Sequence, residues 1–279
     1  MFATRSLFIA SNHKKEKVIQ PILENRLHVV CEEPMSFLDT DQFGTFSGEI
    51  ERELSPIDAL KAKCAYGYAV SGIDLVLATE GSFGPHPFIP FCSAHEELML
   101  LQDFKNKVSF SARILSTDTN FNHKSIDSRL DLQQFMKDIG FPEHRVILRN
   151  KPHSVDFIAK GIGDWQSLLI SFEKCMTQYG SVHAETDMRA MYNPSRMKQI
   201  ALLTEKLMDK MNAKCPSCEM PGYDVLQVIN GLPCAVCETP TESILRHLYG
   251  CTFCGFQEEV ENPNGRKTED PMFCPSCNP

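Results

Sequence analysis

Hydrophobic and polar positions follow two periods along the first two hundred residues. "SLFIAS" (6–11) is a short apolar run between polar neighbours, and "NHKKEKVIQPILENRL" then widens to helical spacing through Val18, Ile22 and Leu27. A strand and a helix are therefore predicted, joined by a turn of Ser11, Asn12, His13, Lys14 and Lys15, with Pro21 kinking or restarting the helix. Ser55, Pro56 and Asp58 read as N-cap, N1 and N3 of a second helix that turns Ile57, Leu60, Cys64 and Tyr68 inward and stops at Gly72. "DLVLATEGSFGPHPFIPF" (74–91) is apolar for five residues and then reads as an irregular loop with Glu80 at its mouth. A strand pair "HEELMLLQDF" and "VSFSARILST" follows. Next come a helix "DSRLDLQQFMKDIGF", a strand "RVILRN", and a helix with Trp165, Leu168, Leu169 and Phe172 inward. Alternation of this kind predicts a mixed-sheet α/β domain over residues 1–212.

The stretch "HAETDMRAMYNPSRM" (183–197) is unusually charged. On a strand of period two, Glu185, Asp187 and Arg189 share one face, and Asn193-Pro194 then starts a long helix with Arg196 on its first turn. Carboxylates able to hold Mg²⁺ and arginines able to take phosphate oxygens would converge at that junction, unless the charges only lock it. The turn at Asn12, Lys14 and Lys15 lies where a strand's carboxyl end meets a helix N-terminus, a place suited to anions. Ser82 and His86 follow Glu80 as further ligand-contact candidates. The sequence thus predicts catalytic roles for Glu80, Glu185 and Asp187, and ligand contacts from Asn12, Lys14, Lys15, Ser82, His86, Arg189 and Arg196.

Cysteine spacing changes the picture after residue 212. Cys215/Cys218, Cys234/Cys237, Cys251/Cys254 and Cys274/Cys277 form four C-x-x-C pairs. Two such knuckles complete a closed tetrahedral shell, so residues 213–279 read as a zinc-ribbon module with two structural Cys₄ zinc sites. An interleaved pairing, first knuckle with third and second with fourth, is favoured over a sequential one, and "YDVLQVI" and "SILRHLYG" supply short strands. Redox-active C-x-x-C motifs come singly, which disfavours that reading. Cys31, Cys64, Cys92 and Cys175 sit in apolar surroundings and read as core fillers.

A net charge of -8, with few basic residues in the ribbon, disfavours nucleic acid as a partner and leaves protein contact through the ribbon. No apolar run approaches the roughly 20 residues of a membrane span, and "SLFIAS" is too short for a signal segment, so a cytoplasmic protein is expected.

"ATEGSFGPHP", "ETDMRAMYNPSRM" and the tail ending in "CPSCNP" together resemble an uncharacterised, mostly bacterial family known only as a domain of unknown function. "LFIASNHKKEKVIQPIL" and "SPIDALKAKCAYGYAVSGIDLVLATEG" more weakly resemble the inosine-triphosphatase and Maf-like nucleotide pyrophosphatases. That second resemblance implies triphosphate contacts from Asn12 and Lys15 and a Mg²⁺ or water contact from Glu80. Its usual Asp-Asp-Ser-Gly is Thr79-Glu80-Gly81-Ser82 here. The expected function is a metal-dependent hydrolase of a nucleotide or other phosphorylated small molecule; the alternative is a non-catalytic, zinc-binding ligand sensor or protein adaptor.

Overall fold

The computed structural model describes residues 1–32, 54–89 and 91–279. The chain divides into two compact units, Met1–Leu207 and Met208–Pro279.

The first unit holds a five-stranded mixed sheet and a four-stranded antiparallel one. In the mixed sheet, β1 (Ser6–Ala10) lies between β2 (Val30–Cys31) and β3 (Leu75–Pro85) and is parallel to both. Beyond β3, β4 (Ser93–Asp103) and β5 (Val108–Ser116) continue antiparallel. Helix α1 (Glu16–Leu27) connects β1 to β2, and α2 (Pro56–Ser71) precedes β3.

Ser55 caps α2 by accepting the Asp58 N–H at 3.3 Å, and Gly72 ends it. The helix packs on Phe8, Ala10, Val76, Ala78 and Leu100 through Leu60 and Cys64. It lies close because Gly67 has no side chain: a Cβ there would come within 2.9 Å of Ala10 Cβ and Val76 Cγ1. The alternate residues Leu7, Ile9, Leu75, Leu77, Met99 and Leu101 are buried on the opposite face, each worth about 1.5–3 kcal/mol for a full side chain. Helix α5 (Pro194–Asn212) joins α1 there, held by Arg26–Glu205 at 2.6 Å and by Lys206 donating to the Arg113 carbonyl at 3.0 Å.

The four-stranded sheet has the order β6 (His123–Ile126), β9 (Val182–Thr186), β7 (Val146–Arg149), β8 (Ile158–Ile162). Helices α3 (Arg129–Asp138) and α4 (Trp165–Tyr179) pack through Leu132, Phe135, Leu168 and Phe172 onto Ile126, Val146, Leu148, Val182 and Ala184. Ser128 and Asp164 cap these helices through the Asp131 and Ser167 amides, at 3.1 and 2.7 Å.

Several local expectations are corrected. Helix α1 runs through Pro21 without interruption, and its buried stripe is Ile19, Leu23 and Leu27, one residue on from Val18 and Ile22. Ile57, Tyr68 and Trp165 are substantially exposed at the edges of their helices, and Cys92 is only half-buried. The segment read as a loop after Glu80 is strand: β3 pairs with β4 without a break from Leu75↔Asp103 to Pro85↔Ser93. Cross-strand pairing over eleven residues outweighs the turn preference of Gly81, Gly84 and Pro85.

In the second unit β10 (Asp224–Asn230), β11 (Ile244–Gly250) and β12 (Gln257–Glu261) form an antiparallel sheet. No described helix is long and apolar enough to cross a membrane.

Candidate functional site

The first unit is organised at its carboxyl strand ends by one fully buried carboxylate, Glu97 on β4. Its oxygens accept from Arg196 Nε and Nη2 at 3.1 and 3.0 Å, lie 3.3 Å from Lys15 Nζ, and lie 2.7 Å from His95 Nε2. Lys15 also donates to Thr79 Oγ1 at 2.5 Å, and Arg196 donates to the Met188 carbonyl at 2.7 Å while covering the Phe83 ring. Burial alone would raise the Glu97 carboxyl, but Arg196 and Lys15 hold it well below the usual carboxylate range. Burial pushes the Lys15 ammonium down to about 8 and the His13 imidazole down to about 4, the latter with Lys15, Arg196 and Arg189 adding. One ionised group therefore ties the β1–α1 turn, β3, β4 and α5 together.

Two sequence-predicted residues, Lys15 and Arg196, thus meet around Glu97, which sequence reasoning missed. Its signal was weak: in "HEELMLL" it shares the inward period of His95, Met99 and Leu101, yet reads as one charge among several.

The space for Glu97 comes from its cross-strand neighbour Gly81. A Cβ there would lie 2.3 Å from Glu97 Oε2 and 2.5 Å from Arg196 Nη2. Gly81→Ala is expected to lower stability by about 1–3 kcal/mol, because the atoms in the way are held in a buried ion pair. A urea midpoint equal to wild type would refute this.

The other candidates are placed as follows. Glu80 lies one residue out of phase with Thr79 and Gly81, so it faces α2 and pairs with Lys63 instead of joining Lys15. Ser82 shares that face and reaches Glu96 at 3.3 Å. His86 accepts the Phe88 and Ile89 amides at the tip of the β3–β4 hairpin. Six residues past Glu80, it stands roughly 20 Å away along the strand. Asn12 is in the β1–α1 turn, its carbonyl accepting from Ser11 Oγ, and Lys14 is exposed beside it.

The single charged face expected for Glu185, Asp187 and Arg189 does not form. Strand β9 ends at Thr186, and a short 3₁₀ turn, Ala190–Tyr192, follows. Glu185 belongs to the sheet, where it accepts from Arg149 Nε at 3.1 Å. Asp187, fully buried, accepts from Arg189 Nε and Nη2 at 3.0 and 2.6 Å and from the Gly161 and Arg189 amides. Arg189 also lies 4.7 Å over the Tyr192 ring. Asp187 and Arg189 thus brace the junction, and Asn193 Oδ1 then caps α5 through the Arg196 amide at 2.9 Å.

Next to this cluster, the first turns of α1 and α5 border an open cavity of about 520 Å³ lined by Lys14, Lys17, Glu143, Met191, Met197 and Lys198 among others. Helix α1 begins without a side-chain cap, and His13 and Lys14 before it both take left-handed backbone angles, φ 68° and 58°. β1 is the strand from which the connections diverge, toward β2 on one side and β3 on the other, with α1 and α2 on opposite faces. In open α/β sheets, ligands bind outside the carboxyl end of such a strand.

In the second unit, Cys215, Cys218, Cys251 and Cys254 form one cluster and Cys234, Cys237, Cys274 and Cys277 the other, as the interleaved pairing predicts. Strand order explains it. β10 begins opposite the end of β11 (Asp224↔Gly250), so the knuckles before β10 and after β11 share one end of the sheet. The β10–β11 connection and the exit from β12 share the other. Sulfur separations of 3.7 and 3.6 Å in one cluster and 3.9 and 3.5 Å in the other match the roughly 3.8 Å edge of a tetrahedron with 2.3 Å Zn–S bonds. The Ser217 and Val236 amides point at Cys215 and Cys234 sulfurs at 3.4 Å. The donor set and spacing fit two structural zinc ions.

The profile of a family described as a domain of unknown function (DUF6671) matches residues 63–279, and the chain belongs to that family. No curated protein and no solved structure gives a significant match.

Proposed function

We propose that this member of the family binds a phosphorylated small molecule where α1 and α5 begin, and that its zinc-ribbon unit is a rigid appendage for protein contact. The observation that carries the reading is the cavity beside the uncapped start of α1, with exposed Lys14, Lys17 and Lys198 on its walls. Glu143 is the one acid among the described residues lining it. Beneath it, Glu97, Lys15 and Arg196 are a buried scaffold that holds the two helix starts in register.

The finer reading, Mg²⁺-dependent hydrolysis of a nucleotide, draws less support from the geometry. Glu80 is paired with Lys63, Glu185 with Arg149, and Asp187 with Arg189 and two amides. Binding without turnover needs none of these carboxylates released.

Calorimetric titration with inorganic phosphate, pyrophosphate and ATP tests the proposal. Binding that weakens with added salt is expected, and Lys14→Gln, Lys17→Gln and Lys198→Gln combined should lower affinity at least about tenfold, or 1.4 kcal/mol, without changing the melting temperature. Absence of binding, or unchanged affinity in the triple variant, would overturn it. Phosphate release from ATP with Mg²⁺, lost in Asp187→Asn, would replace binding by hydrolysis.

A further inference from the structure

The four-stranded sheet has a second face that the packing of α3 and α4 leaves aside. Ile126, Val146, Leu148, Val182 and Ala184 point into the helical core, so Ser125, Arg149, His183 and Glu185 point the other way. Register then brings them together: Ser125 and Arg149 are both direct cross-strand partners of His183, and Glu185 follows two residues along β9.

The resulting contacts form a chain. Ser125 Oγ lies 3.5 Å from His183 Nδ1, and His183 Nε2 lies 3.7 Å from Glu185 Oε1. Glu185 Oε2 accepts from Arg149 Nε at 3.1 Å, and Arg149 is itself fixed by donating to the Ser154 carbonyl at 2.7 Å. His183 is buried and Ser125 is exposed. With Nδ1 facing a hydroxyl and Nε2 facing a carboxylate, the tautomer that suits both accepts at Nδ1 and donates from Nε2.

A cavity of about 220 Å³ opens beside the pair, lined by Ser125, Asn150, Lys151, Pro152, Ser181 and His183 among others. Asn150 is buried, and its side-chain oxygen has no hydrogen-bond partner in the protein. A buried carboxamide oxygen without a partner, beside a cavity, is an acceptor left for a ligand's donor.

We propose that Ser125, His183 and Glu185 are the nucleophile, general base and orienting acid of an acyl hydrolase site, taking esters of a short acyl group in this cavity. Ser125 Oγ bonds to the ester carbonyl carbon as its proton passes to His183 Nδ1 and the carbonyl electron pair moves onto oxygen. Lys151 Nζ and Asn150 Nδ2 are the lining groups able to donate to that oxyanion, while Asn150 Oδ1 can only accept. Collapse breaks the bond to the leaving alkoxide, which takes the proton from His183. Water then attacks the acyl-Ser125 carbon, gives its proton to His183, and Ser125 is regenerated, so the sum is ester plus water to acid plus alcohol. Glu185 touches no reacting atom; it is a positioning residue that stabilises the imidazolium. Both separations are slightly longer than the 2.6–3.2 Å of an engaged set, as is common before substrate binds.

Burial lowers the His183 imidazole below its ordinary 6.5, with Glu185 opposing and His123, Arg149 and His153 adding. Asp127 and Lys151, lining the cavity, are the other charged groups nearby. The base is therefore neutral at pH 7.

The test uses the full zinc-loaded chain and a fluorophosphonate probe, read by intact mass and peptide mapping. One adduct on Ser125 is expected, absent in Ser125→Ala and formed at least about tenfold more slowly in His183→Gln, the low end of a general base's contribution. In the unaltered protein the labelling rate should rise with pH through a midpoint below 6.5, and Glu185→Gln should move that midpoint lower. The wild-type profile needs no variant to fold. No adduct on the folded chain, an adduct that persists in Ser125→Ala, or a rate without that pH midpoint would overturn the proposal.

Discussion

Chelating zinc from the purified chain is expected to unfold residues 208–279 while the helical signal of the first unit persists. In a small, metal-clustered unit of three short strands the ions supply folding energy, about 10–16 kcal/mol of apparent binding free energy per structural site near pH 7. Metal analysis of reduced, untreated protein should return two zinc ions per chain, and a value near zero would remove the basis of the assignment. The pairing has its own test. Cys215→Ser combined with Cys251→Ser should leave one zinc, because both residues belong to one cluster. A sequential pairing would lose both ions in the same double variant.

Glu97→Gln is the substitution expected to weaken the first unit most. It keeps shape and removes the charge that compensates Arg196 and Lys15, both buried. Stranding a buried cation destabilises by about 3–5 kcal/mol, a large part of a domain's total stability. Arg196→Met should also be strongly destabilising, and the double variant should lose less than the two single losses added, because the second substitution removes a charge already left without its partner. Additive losses in urea unfolding would show that the pair does not act as a unit. The sign of the pH effect follows from the lowered Glu97 carboxyl. Its contribution is fully present above the ordinary 4.5 and is lost as pH falls through the lower folded value. Glu97→Gln should therefore flatten the acid limb of the stability profile below pH 4.5 and leave its neutral region parallel to wild type.

Legibility differed from element to element for physical reasons. Helices α2 to α5 could be read because caps and apolar spacing are local: Ser55, Ser128, Asp164 and Asn193 each sit within three residues of the amide they satisfy. Strand β3 was misjudged past Glu80 because glycine and proline content reports turn preference, whereas pairing with β4 depends on residues on the other arm of the hairpin, from Gly81↔Glu97 to Pro85↔Ser93. The charged stretch after His183 was misread for a related reason. A period-two pattern continues on paper through Arg189, but the chain leaves the sheet after Thr186, where Asp187 captures the Gly161 amide from a distant strand.

What the sequence by itself determined is the set of local choices: the cysteine ligands and their two-residue gaps, the capped helices, and the lysines of the β1–α1 turn. Each depends on groups a few bonds apart, so spacing alone carries it. Tertiary structure decided which distant groups meet. Antiparallel order in the second unit chose the interleaved cysteine clusters, the register of β3 and β4 set Gly81 against Glu97, and the register of β6, β9 and β7 set Ser125 and Arg149 beside His183. Those partners are separated by up to 58 residues, and only the folded backbone, by closing those loops, fixes which side chains share a face.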